Sequence, residues 1–90
     1  MKKNVINYEV CDLIRKSTKV EGEIADELAK LKIELYETPE WRHNDYLFVH
    51  TEKNLFFEIS LCPKKGKSVV EFAKYEFERI ERENNILDLN

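Results

Sequence analysis

Apolar residues recur at steps of three or four through the first third of the chain: Ile6, Val10, Leu13, Val20, Ile24, Leu28, Leu31 and Leu35. At 100° per residue they fall within about 80° of one another, with lysine, glutamate and aspartate filling the opposite side. The phase predicts either one long amphipathic helix or two helices that keep one face in register. A weak point lies at Ser17–Gly22. Thr18 and Glu21 have capping-box spacing, and Gly22 costs roughly 1 kcal/mol relative to alanine inside a helix. A break there gives helices over 4–16 and 19–31. A continuous helix of about 30 residues would span roughly 45 Å, more than the rest of so short a chain can cover, and part of its stripe would need an outside surface.

The period then changes. Residues 32–37 fit either the end of the helical stripe or a short strand with Ile33 and Leu35 on one side. Residues 46–51 and 55–62 are rich in aromatic and branched side chains and flank Glu52-Lys53-Asn54, which reads as a β-hairpin with Asn54 at a position that tolerates positive φ. In the second strand Leu55, Phe57, Ile59 and Leu61 form the core face. A three-residue loop would set Leu47 and Val49 beside them. A two-residue loop would set Phe48 and His50 there, because one step of register exchanges the faces. After Pro63–Lys67, Ser68 and Glu71 have capping-box spacing for a helix over 69–84 with Val69, Val70, Ala73, Phe77 and Ile80 buried and a Glu78–Arg82 pair outside. Residues 85–90 read as a frayed tail. The expectation is a single α+β domain over 1–90. Its helical N-terminal region and C-terminal helix pack on one face of an antiparallel sheet of two or three strands.

Composition adds limits. At 90 residues the core is thin. The net charge of −3 is unevenly spread. Lys2, Lys3, Arg15, Lys16 and Lys19 outweigh Glu9 and Asp12 in the first twenty residues, whereas eight acids face Lys30, Lys32 and Arg42 over 21–45. This excludes a uniformly basic nucleic-acid surface but leaves room for a local patch. Cys11 and Cys62 have no metal-type spacing and read as reduced thiols of a cytoplasmic protein. The first residues lack the apolar core of a signal peptide, and no apolar run reaches the ~20 residues of a membrane span.

Chemistry-bearing residues are sparse. Trp41, Arg42, His43, Asp45 and Tyr46 form the densest polar-aromatic cluster and are the candidate partner-binding surface. His43, Asp45 and His50 are the only grouping suited to acid–base or metal work, and they lack a metal motif's spacing. With two glycines in the chain there is no phosphate-cradling loop, no dinucleotide fingerprint and no nucleophile elbow. The expectation is a protein that is not an enzyme and carries no cofactor or metal.

Lys64, Lys65 and Lys67 precede a helix start, where free amides favour phosphate. Over residues 18–84 the order helix, strand, two strands, lysine-rich turn, helix resembles the topology of the double-stranded-RNA-binding domain. That resemblance implies phosphate contacts by Lys64, Lys65 and Lys67 and minor-groove contact by His43. The chain departs from the family in lacking Gly-Pro before the loop histidine. It also carries Glu21, Glu23, Asp26 and Glu27 on the helix that would lie on RNA.

Two functional expectations follow. The first is a small interaction protein, a regulator or inhibitor that binds a protein partner or a second copy of itself, with Ile6, Val10 and Leu13 as the homodimer interface. Compact, charged chains without motifs are common among phage and mobile-element proteins. The alternative is a nucleic-acid-binding module using the lysine turn.

Overall fold

The computed structural model describes residues 2–38, 45–60 and 66–88. The first third is two helices, not one: α1 (Tyr8–Lys16) and α2 (Glu23–Lys30), separated by a two-residue strand, β1 (Thr18–Lys19). The Asn7 side chain accepts the Val10 amide at 3.0 Å to start α1, and Ser17 ends it with its hydroxyl on the Leu13 carbonyl at 2.8 Å. Thr18 does not cap a helix. It pairs with Glu37, and Lys19 pairs with Tyr36. Gly22 makes the turn into α2 with φ +133°, a conformation that side chains resist. The apolar phase survives the break because Val20, leaving β1, packs into the same core that α2 covers. The continuous helix, and its demand for an outside surface, are therefore absent.

Residues 33–38 are a strand. β2 (Ile33–Thr38), β3 (Asp45–His50) and β4 (Leu55–Ile59) complete an antiparallel sheet in the order β1-β2-β3-β4. Lys32, at φ +65°, provides the reversal between α2 and β2. The β3–β4 turn spans Thr51–Asn54, with Asn54 at φ +59° and its amide on the His50 carbonyl at 3.0 Å. A four-residue turn has the parity of a two-residue one. Phe48 therefore faces Phe57, and His50 faces Leu55.

This register sorts the side chains. Ile33, Leu35, Phe48, Leu55 and Phe57 meet Leu28 of α2 and Val69, Ala73, Phe77 and Ile80 of α3 (Gly66–Asp88) in one cluster. Phe48 and Phe57 stack at 4.6 Å, and Phe77 tilts onto Phe57 at 5.0 Å. The order α2-β2-β3-β4-α3, with both helices on one face, is the core of the domain. Leu47 and Val49 are equally buried but point to the other face. That face is covered by α1, which contacts β2 and buries Val10. The helices thus lie on both faces of the sheet, not on one, because a strand with buried residues on alternate sides needs apolar cover on each.

α3 is longer than its apolar stripe suggested. It begins at Gly66, so Ser68 lies inside the helix and does not cap it, and it continues to Asp88 through the residues expected to fray. At 23 residues it extends about 34 Å. Its ion pairs centre on Arg79, which binds Glu76 and Glu83, and not on Glu78 and Arg82. Near the end of the helix Asn84 is buried. Its Oδ1 accepts the Lys3 amide at 2.6 Å, and its Nδ2 donates to the Lys3 carbonyl at 2.9 Å. The same segment bridges to β4 at Val5–Leu55.

Truncating Phe77 removes a ring held by Phe57 and His50. Phe77→Ala should cost about 3–5 kcal/mol in urea unfolding, a large share of the stability of so small a domain, whereas Tyr75→Ala on the exposed side should change it by about 0.5 kcal/mol or less.

Candidate interaction surfaces

The polar groups of the far face gather at the end of the sheet where β2 and β3 approach the 39–44 segment. Thr38 Oγ1 donates to the Asp45 carbonyl at 2.8 Å, and Asp45 Oδ1 is buried without a hydrogen-bond partner among the described residues. Glu58 lies on the same face. Burial, and secondarily the charge of Asp45, hold its carboxyl above the usual range. Further along, the Tyr36 hydroxyl donates to Glu34 Oε1 at 2.7 Å, and Glu34 Oε2 accepts from Lys19 Nζ at 3.4 Å. Burial first, then this bond and the Glu34 charge, push the phenol up to about 12.

Of the sequence candidates, Asp45 opens β3 on this far face, while Tyr46 is half-buried on the opposite one. Trp41, Arg42, His43, Lys64 and Lys65 lie outside the described residues, as does the Lys67 side chain. Of the homodimer candidates, Val10 is buried on α1, Leu13 is half-buried on the same helix, and Ile6, half-buried, precedes it.

His50 lies on the α2–α3 side, away from Asp45. The residue is 7% exposed, and its ring meets Phe77 edge-on at 5.4 Å. Nδ1 accepts the Lys53 amide at 3.1 Å, which assigns the ring proton to Nε2 and braces the Thr51–Asn54 turn. Burial, and secondarily the Lys53 charge, lower its pKa from 6.5. Cys11, the one described cysteine, is exposed on α1, across the sheet from His50. Among the described residues no three histidine, cysteine or acidic side chains converge as a metal site. No helix there is long and apolar enough to cross a membrane.

The surface charges are extensively paired. Arg15 and Lys16 reach Asp12, Lys19 reaches Glu34, Lys30 reaches Glu27, and Lys53 reaches Glu81. Arg79 joins Glu76 and Glu83, and Lys3 also reaches Glu83. Among the described residues Tyr8, Tyr75 and Ile86 are the large exposed apolar side chains.

Sequence patterns missed one feature that organises a surface: Asn84, with the segment it holds. A lone polar residue at position 84 has no periodic signature. The signal that could have found it is position: Asn84 falls on the phase of Phe77 and Ile80, on the inward stripe of the helix.

Two titrations test these assignments. His50 is held neutral, so its contribution to stability is complete above pH 6.5 and is lost as the pH falls through its lower folded pKa. Urea midpoints measured on either side of that value should therefore drop in acid, and His50→Phe should flatten the part of the drop due to this ring. The Tyr36 phenol has the opposite sign. Its stabilisation is present below 10 and is lost as the pH rises towards about 12, and Tyr36→Phe should delete an absorbance step near that upper value.

No family model, curated protein or solved structure matches this chain.

Proposed function

We propose that this protein is a non-catalytic interaction module of the cytoplasm, acting as a regulator or inhibitor by binding another protein. The observation that carries the reading is the pairing of the basic side chains. Lys3, Arg15, Lys16, Lys19, Lys30, Lys53 and Arg79 each lie within ion-pair distance of a carboxylate of the same chain. Nucleic-acid affinity comes from cations that replace counterions on phosphate, and a cation already neutralised by its own chain contributes little of that. A surface of mixed, paired charge with exposed Tyr8, Tyr75 and Ile86 suits contact with protein, where aromatic anchors carry binding and charges set orientation. Self-association through α1 and the residues before it, where Leu13 and Ile6 retain exposure, is the homodimeric form of the same reading.

A nucleic-acid reading is favoured by one observation: α2 and α3 share one face of β2–β4, as the topology of a duplex-RNA module requires. The exposed Glu23, Asp26 and Glu27 of α2 weigh against it, since they would meet phosphate.

Capture of partners on the tagged full chain, with and without nuclease, separates the two. The contact reading expects a protein that survives nuclease and stays bound at raised salt. Duplex RNA that binds the chain in a gel shift, with affinity falling steeply with salt and the slope reduced by about one for each of Lys64, Lys65 and Lys67 replaced by alanine, would overturn it.

A further inference from the structure

His50 carries a donor that the fold does not use. Its Nδ1 accepts the Lys53 amide at 3.1 Å, so the ring proton sits on Nε2. Among the described residues no acceptor meets that proton. Nor is the nitrogen sealed in: among those residues the side-chain nitrogen or oxygen that is sealed without a partner is Asp45 Oδ1, on the other face of the sheet. The imidazole lines a cavity of about 160 Å³ between α3 and the start of β2, and the residue is otherwise buried. The Nε2–H is thus presented in a recess. A recessed N–H without an acceptor is a cost that a ligand oxygen removes.

The rest of the lining limits what fits. Ile33 and Phe77 are buried apolar walls, with Leu31 half-buried beside them. A cavity of about this size walled by leucine, isoleucine and phenylalanine holds a benzene-sized group. Three charged side chains complete the lining. Lys53 is engaged by Glu81 at 3.0 Å. Lys74, exposed on α3, joins no ion pair among the described residues, which leaves its charge for an occupant. Glu78 opposes an anion, but it lies four residues before Arg82, which is also outside the ion pairs. That spacing and order favour a helical pair, so turning towards Arg82 takes the Glu78 charge away from the cavity.

We propose that this cavity binds a small monocarboxylate with a compact apolar body, its carboxylate on His50 Nε2–H and Lys74 Nζ and its body against Leu31, Ile33 and Phe77. Both polar groups asked to hold the ligand are donors, and a carboxylate is an acceptor with room for both. The apolar walls select the body by size. His50 also braces the Thr51–Asn54 turn through Nδ1, so an occupant on Nε2 acts on the ring that holds that turn. The proposal goes beyond the contact reading and does not depend on it.

The test is a titration of the full chain with sodium benzoate at constant ionic strength, followed by the amide resonances of a nitrogen-15-labelled sample. Saturable shifts should appear at Leu31, Ile33, Lys53 and Phe77, with a dissociation constant on the order of millimolar, as suits a ligand of so few atoms. Benzamide and benzyl alcohol, which keep the ring and lose the charge, should bind more weakly. His50→Phe keeps an aromatic ring and deletes the donor, and should weaken benzoate by about tenfold or more. Should that variant not fold, Lys74→Gln, at an exposed position, should weaken it by about two- to fivefold. Shifts that do not saturate, or that sodium chloride reproduces, overturn the proposal. So does equal binding of benzamide, which would mean that the carboxylate is not read, or an affinity unchanged in a folded His50→Phe or Lys74→Gln variant.

Discussion

The pairing of Phe48 with Phe57 across β3 and β4 is the contact on which the rest of the structure depends. Their rings stack at 4.6 Å, and Phe77 and Phe72 close on Phe57 from α3. A slip of one residue would turn Phe48 and His50 away from α2 and α3 and put Leu47 and Val49 in their place. The four-residue turn holds the register through the left-handed Asn54 and through the Lys53 amide bonded to His50. A buried imidazole thus braces the turn that keeps it buried, which couples the core to the protonation state of one side chain.

Apolar residues on both sides of the central strands impose the second constraint. With Phe48 directed to one face and Leu47 and Val49 to the other, a sheet covered on one side would leave branched residues in water. The break after α1 answers this. Residues 2–6 lie along the β4 edge, α1 covers the far face, and β1 pairs at the opposite edge before the chain crosses to α2. One short helix spent on the far face is what a 90-residue chain has available to cover a second layer.

The polar groups follow from that arrangement. Carboxylates and ammonium groups brought together by the turns and by α3 neutralise one another over much of the described surface. Asn84 is the clearest exception among the polar groups: buried near the end of α3, its carboxamide ties down the backbone of Lys3 beside the β4 edge.

The hairpin and the inward stripe of α3 were legible in the sequence because strand alternation and helical period are local and repeat over many residues. The class of fold was legible for the same reason. Local signals did not decide between one helix and two, since Val20 satisfies the helical phase while belonging to an extended segment that packs into the same core. Nor did they decide the hairpin register, because Leu47 and Phe48 are both apolar and only the turn closure at Asn54 distinguishes them. Asn84 falls on the inward phase of α3, but its role was not legible: its partner is eighty-one positions away, and a long-range pair between a carboxamide and a backbone leaves no period in the chain. The sequence by itself determined the α+β class, the hairpin and the inward stripe of α3, whose patterns are local. The tertiary structure decided where the first helix breaks, the hairpin register and which faces the elements cover, because those depend on contacts that exist only when distant segments meet.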